Sequence, residues 1–219
     1  MASVSAGKAG GTGIGDRLLA CVAEHGSGAH PYPGSSALLK GPEAARNLSD
    51  FVHFLCTLHG RYPGVIDHAA GCSVEPAARA WFAAATEAFA VERAFLARLA
   101  VAAGPIPSTP GSAESEGAVL GQRHAVEMLA RSERSGCALG AAVGVALDWA
   151  GIRPVLDAAA RRFGLEGPPF QPMNLPNLRE IAVAPAVERA LLFGAEQILV
   201  QHFGLWELLE ARQQARSDC

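Results

Sequence analysis

The feature that most constrains the fold is an apolar run, Cys137 to Ile152, in which small residues recur at a regular spacing. Three glycines and one acid stand at every fourth position: Gly136, Gly140, Gly144 and Asp148. This spacing places them on one face of a helix. Because glycine has no side chain, a second helix can approach that face closely. We therefore expect the lone carboxylate either to be covered by a partner group or to be used in chemistry.

The same run predicts where this helix lies and where it ends. It has no polar face, which is typical of a helix surrounded by other elements. Gly151 and Pro154 follow it, and both residue types disfavour the interior of a helix. The sequence therefore predicts a central apolar helix from about Gly136 to Ala150, and a separate helix from Pro154 to Phe163.

The rest of the chain indicates an all-α protein. Half of its 219 residues are hydrophobic but only 6% are aromatic, and apolar residues recur at helical rather than alternating spacing. We predict a single-domain bundle of about six or seven helices around the Gly-rich one. Apart from those two, the predicted helices cover residues 16–24, 42–60, 73–103, 112–134 and 185–212, and residues 63–70 are expected to form a short turn or helix.

Composition also predicts the domain limits. Residues 1–13 are rich in Gly, Ser and Ala and are expected to form a disordered tail. The all-α domain spans residues 14–213 and is followed by a C-terminal tail over residues 214–219. Gly, Pro and Ser residues indicate a mobile loop at 104–117 and a Pro-rich loop at 164–177 within the domain, with a short segment over 178–183 after it.

Charge and cysteine usage exclude several classes of protein. The net charge of −3 provides no basic surface for nucleic acid. The longest apolar run contains Asp148 and is shorter than the roughly 20 residues that a bilayer requires, so no membrane partner is expected.

Five scattered cysteines, with no C-x-x-C pair, are typical of reduced thiols in the cytoplasm. No Walker, G-x-S-x-G or H-E-x-x-H motif names a reaction.

Four ionisable residues fall on apolar helix faces, each on a different predicted helix. They are His59, Glu92, Asp148 and His202. Two imidazoles and two carboxylates are a ligand set suited to iron, manganese or zinc inside a helical bundle. His124 and Glu127, three residues apart, form a secondary candidate pair because that spacing places both side chains on one face.

Each candidate also has a structural interpretation. His59 can bond the last carbonyls of its helix, and Glu92 can form a buried pair with an arginine. Asp148 can bond backbone amides near Gly151 or reach Arg153. For His202 the alternative is a core histidine whose hydrogen bonds are satisfied. The pair His124 and Glu127 can belong to a solvated polar surface.

Two functions follow from these alternatives. The first is a binding or protein-interaction role, with a small molecule or protein as partner and a homodimer as a further expectation. The second is a metal-dependent enzyme whose His/carboxylate site lies inside the bundle.

Overall fold

The computed structural model describes residues 13–72, 76–106, 111–175 and 184–217. Within these ranges the chain forms eight α-helices and no strand, which confirms the predicted all-α bundle. The helices are α1 (Ile14–His25), α2 (Ser36–Leu39), α3 (Ala44–His59), α4 (Val65–Cys72), α5 (Pro76–Ala103), α6 (Ser112–Ala130), α7 (Cys137–Arg162) and α8 (Pro185–Ser217). Two short 3-10 turns, Ser27–Ala29 and Tyr32–Gly34, connect α1 to α2.

Helix α7 is the centre of the bundle, as its uniform apolarity predicts. It contacts α3, α4, α5, α6 and α8, and its most extensive contact is with α8. By length and composition α7 could span a membrane, yet 78% of its most apolar window is buried inside the protein. This burial is consistent with the core helix of a soluble protein.

The glycine face of α7 receives α8 at close range. A Cβ atom added to Gly140 would lie 1.9 Å from the carbonyl oxygen of Leu191, and one added to Gly144 would lie 3.1 Å from the Cα of Ala195. In the reverse direction, a Cβ atom on Gly194 would lie 2.1 Å from the carbonyl oxygen of Cys137. A Cβ atom does not fit at 1.9 or 2.1 Å from a backbone oxygen, so Gly140 and Gly194 set the separation between the two helices.

The prediction that α7 breaks near Gly151 and Pro154 is wrong. One continuous helix runs through both positions from Cys137 to Arg162. Pro154 removes one backbone hydrogen bond, but its neighbours Val155 and Leu156 are buried in the core, and tertiary packing overrides the local preference. Gly151 instead permits a close approach, because a Cβ atom there would lie 2.9 Å from the backbone nitrogen of Gly28.

Apolar stripes at helical spacing on α3, α5 and α8 face the core. Their members are buried: Leu48, Phe51, Val52, Leu55 and His59 on α3; Phe82, Ala85, Phe89, Glu92, Leu96 and Leu99 on α5; Leu191, Leu192, Ile198, Leu199, Leu205 and Trp206 on α8. Helical periodicity therefore identified both the apolar core positions and the polar residues placed among them.

Several helix ends differ from the predicted ones. Helix α8 continues to Ser217, so residues 214–217 are helical rather than part of a tail. Arg216 in this last turn donates to Asn47 and Asp50 of α3, which holds the end of the helix against the bundle. Helix α6 begins at Ser112, as predicted, so residues 112–117 are helical and not part of the mobile loop, and the helix ends at Ala130 rather than Arg134. Residues 1–12, Ser73 and the predicted segment 178–183 lie outside the described ranges.

Candidate functional site

The four interior candidates are all buried, and each comes from a different helix. His59 ends α3, Glu92 lies in α5, Asp148 in α7 and His202 in α8. Their exposed fractions are 4%, 4%, 1% and 0%, in that order. Ionisable groups at such depth are costly unless they are hydrogen-bonded or paired, so their partners decide what they can do.

Three of the four belong to one hydrogen-bonded chain, which we call the relay (Ser27, Asp148, His202 and His59). Asp148 accepts from the backbone N–H of Ser27 at 2.7 Å and from its Oγ at 2.6 Å. Its Oδ2 also lies 2.7 Å from Nδ1 of His202. Nε2 of His202 lies 2.7 Å from Nε2 of His59. The relay therefore crosses the bundle from the Ser27–Ala29 turn to the end of α3.

Glycines let the Ser27–Ala29 turn come close enough to join the relay. A Cβ atom on Gly26 would lie 2.5 Å from Oδ1 of Asp148. The approach of Gly28 to Gly151, described above, is the second such contact. Asp148 on the glycine face of α7 is thus covered by the turn on one side and by His202 of α8 on the other, as its isolation in the apolar run predicts.

The surroundings of the relay fix its protonation. Burial alone would raise the pKa of Asp148, but hydrogen bonds from His202 and Ser27 outweigh it and hold the pKa below its ordinary value. Burial lowers the pKa of His59 well below its ordinary value, and His202 and Arg93 lower it further. At neutral pH we therefore assign an ionised Asp148 and a neutral His59.

Hydrogen-bond directions follow from this assignment. The carboxylate of Asp148 can only accept, so Nδ1 of His202 donates to it. For a neutral His202, Nε2 then accepts, and the donor must be Nε2 of His59. His59 is left with an unprotonated Nδ1, for which the described part of the chain provides no hydrogen-bond partner.

Glu92 lies in a separate ion pair. Its Oε1 accepts from Nη1 of Arg153 at 2.6 Å, and its Oε2 accepts from Nε1 of Trp149 at 2.9 Å. Burial nevertheless raises the pKa of Glu92 above its ordinary value. The Trp149 ring also meets the His59 ring edge-on, with centroids 5.7 Å apart. The ion pair and the relay are therefore neighbours that share a tryptophan but no hydrogen bond.

These contacts answer the alternatives posed by the sequence. His59 bonds His202 rather than its own helix end, and Glu92 has the arginine partner that was expected. Asp148 bonds a backbone amide, but that of Ser27 and not one near Gly151, and it does not pair with Arg153. His202 has both ring nitrogens hydrogen-bonded.

The metal hypothesis gains no support from this geometry. Among the residues that the structure describes, no group of three or more His, Cys, Asp or Glu side chains is placed to hold an ion. The donor atoms of the relay bond one another, and both oxygens of Glu92 are occupied. In the secondary pair, His124 is exposed and Glu127 is half-buried, with Oε1 of Glu127 3.5 Å from Nε of Arg123.

Sequence reasoning missed the role of the segment at 164–175, which we call the covering loop. It lacks regular structure, as its prolines predict, but it is tied to the bundle. Arg153 donates to the carbonyl oxygen of Pro168, and its guanidinium lies 5.3 Å from the ring centroid of Phe170. Trp81 donates to the carbonyl oxygen of Asn174 at 2.6 Å. Arg153, at the end of the apolar run, was the available signal.

Three concave features adjoin these groups. The first, the α5 groove, lies between α5 and the covering loop and has a volume of about 460 Å³. Its walls include Glu87, Val91, Glu92, Pro168, Phe170 and Met173. The second, the His59 cleft, has a volume of about 20 Å³ and lies beside the end of α3. The third has a volume of about 480 Å³ and is formed by the end of α7, from Arg153 to Arg161, and the covering loop.

Residues 22–217 match a family of unknown function, DUF6975, and the chain belongs to this family. No curated protein matches it. No solved structure matches it either.

Proposed function

We propose that this protein binds a small molecule with an apolar body and a cationic group in the α5 groove. The observation that carries the proposal is the lining of the groove, in which the ionisable residues, Glu87 and Glu92, are both acids. Among the residues that the structure describes, no lysine, arginine or histidine belongs to that lining. Since Glu92 is paired with Arg153, the uncompensated charge of the groove is that of Glu87, and this charge favours a cation over an anion.

The size and surface of the α5 groove fit a metabolite-sized ligand. Binding sites for small molecules commonly have volumes of about 300–1,000 Å³ and apolar walls with a few polar groups. Val91, Phe170 and Met173 provide such walls here. Val91 is 47% exposed on α5, and covering it with a ligand would remove apolar surface from water.

The two acids have different parts in the proposal. Glu87 is exposed and can meet a cationic group directly at the groove. Glu92 already accepts from Arg153 and Trp149, so its charge is compensated and its role is to hold the base of the groove. The wall formed by the covering loop is fixed by Arg153 and Trp81, which limits the ordering cost of binding.

Phenethylamine is a suitable probe, with phenethyl alcohol and 3-phenylpropionate as its neutral and anionic counterparts. We expect saturable binding of the amine in isothermal titration calorimetry and weaker binding of the other two. Replacing Glu87 with Gln removes an exposed charge contact of up to about 1 kcal/mol, which weakens amine binding up to about fivefold. Glu87→Lys should abolish it.

Glu133→Lys is the matched control, because Glu133 is an exposed acid that does not line the groove. It should bind the amine as the unmodified protein does. Equal binding of the amine and the alcohol would contradict the proposal, as would equal effects of Glu87→Lys and Glu133→Lys. Saturation only by a protein partner would favour the interaction role instead. The metal-dependent enzyme, the homodimer and the cytoplasmic location stay predictions.

A further inference from the structure

The His59 cleft is a second site, independent of the α5 groove. It lies among the end of α3, the turn that follows it, α4 and α6. Its polar lining residues are His59, Arg61, His68, Arg123 and Glu127. A volume of about 20 Å³ has room for about one to two water-sized groups, so only the polar end of a ligand can enter.

Two polar atoms of residues that line this cleft form no hydrogen bond to the described residues, and His59 bonds instead through its other nitrogen, Nε2. One is Nδ1 of His59, the acceptor at the end of the relay. The other is Nε of Arg123, a buried donor without an acceptor. Oε1 of Glu127 is 3.5 Å away from that nitrogen, close enough for an ion pair but not a hydrogen bond. A buried donor left in this way costs free energy, which a ligand that accepts from it would recover.

We propose that the His59 cleft binds a small carboxylic acid and takes up its proton. The acid O–H donates to Nδ1 of His59, and the second oxygen accepts from Nε–H of Arg123. One group with a donor beside an acceptor thus satisfies both atoms, and an arginine is the preferred partner of a carboxylate.

The relay provides a place for the proton. The O–H bond of the acid breaks and an N–H bond forms at Nδ1 of His59, while the electron pair stays on the carboxylate. The proton on Nε2 of His59 then moves to Nε2 of His202 across the 2.7 Å hydrogen bond. The positive charge comes to rest on His202, which lies 2.7 Å from the carboxylate of Asp148. Asp148 stabilises that charge as a buried counter-ion.

Charged groups on the elements packed around His59 determine which of the two histidines holds the additional proton. Arg93 of α5 disfavours a charge on His59, but it is itself paired with Asp67 of α4 at 2.7 Å. The titratable and charged groups that face the relay and the cleft are Arg61, Asp67, His68, Glu92, Arg93, Arg123, Glu127, Asp148 and His202. Moving the proton to His202 places it next to an acid instead of near Arg93.

The test is calorimetric titration of acetate into the full chain between about pH 6 and pH 8, the range in which histidine titrates. Each pH value is repeated in two buffers of different ionisation enthalpy, which gives the number of protons taken up. We expect one proton per acetate and an affinity that increases about tenfold per unit decrease in pH. Acetamide, which cannot deliver a proton, should bind more weakly and without this pH dependence.

Variants separate the two halves of the site. Arg123→Gln should weaken acetate binding about tenfold or more while leaving the proton uptake intact. Arg131→Gln, which changes an exposed arginine just after the end of α6, should change neither quantity. His59→Gln should remove the proton uptake, whereas His124→Gln, which changes an exposed histidine that does not line the cleft, should retain it.

Four results would overturn the proposal. They are acetate binding without proton uptake, equal binding of acetate and acetamide, equal effects of Arg123→Gln and Arg131→Gln, and no saturable binding in the millimolar range. All but the third are measured on the unmodified protein, so the proposal stays testable if the His59 variant does not fold.

Discussion

Replacing Gly140 with Ala tests whether close packing of α7 against α8 holds the bundle together. The added Cβ atom would lie 1.9 Å from the backbone oxygen of Leu191, about 1.5 Å inside ordinary contact distance. A backbone atom cannot rotate away, so the two helices must separate. Overpacking of a core costs about 1–3 kcal/mol, while Gly→Ala in a helix gains about 0.4–1 kcal/mol through the unfolded state.

The net loss is therefore about 1–2 kcal/mol, which corresponds to a decrease in Tm of about 2–8 °C for a chain of this length. Urea unfolding followed by far-UV circular dichroism measures it as a lower midpoint with an unchanged slope. Gly121→Ala in α6 is the matched control, because a Cβ atom there meets nothing within 4 Å. It should stabilise the protein slightly. A Gly140→Ala variant as stable as the unmodified protein would refute the close-packing argument.

Two further predictions concern the buried ionisable groups. The pKa of His59 is lowered by burial, so the unfolded state binds more protons below about pH 6.5. The unfolding free energy should therefore decrease as the pH is lowered through that range. It should decrease further near pH 4, where Asp148 becomes protonated in the unfolded state but stays ionised in the folded state because its pKa is lowered there. Urea titrations at each pH measure this, and an unfolding free energy that does not change with pH would contradict the prediction. Glu92→Gln breaks a buried ion pair with Arg153 and should lower the unfolding free energy by about 3 kcal/mol. The exposed Glu87→Gln on the same helix should change it by less than about 0.5 kcal/mol, and equal losses would show that burial of the pair is not decisive.

Helical periodicity in the sequence is sufficient to identify four of the buried polar residues, but it missed others, such as the buried pair of Asp50 and Arg212. His59, Glu92, Asp148 and His202 each stand where an apolar residue would complete a stripe, and a one-dimensional pattern contains that information. Which of them meet depends on helix order and crossing angles, which the pattern does not contain. The separation of Glu92 from the other three was for this reason beyond sequence analysis.

The hydrogen-bond partners of Asp148 also could not be predicted from the sequence pattern. Arg153 is five residues further along α7, which places it about 140° around the helix from Asp148. It therefore faces Glu92 and the covering loop instead of the relay. Ser27, the actual partner, lies in a Gly/Pro-containing loop far away in sequence, and only the glycines beside it indicated that something could approach closely.

The incorrect prediction of a helix break at Gly151 and Pro154 has a physical explanation. Both residues lower the intrinsic helix propensity, and a rule that weighs only local sequence ends the helix there. Burial of Ile152, Val155 and Leu156 provides the tertiary stabilisation that the rule leaves out. Gly151 is required by the approach of the Ser27–Ala29 turn and not by a change in secondary structure.

The most direct test of the relay is the tautomeric state of its two histidines, measured by ¹⁵N-detected long-range correlation spectra at neutral pH. Opposite tautomers are predicted: His59 with its proton on Nε2 and His202 with its proton on Nδ1. The same tautomer in both rings, or a charged His59, would contradict the hydrogen-bonded chain from Ser27 to His59 on which the interior site depends.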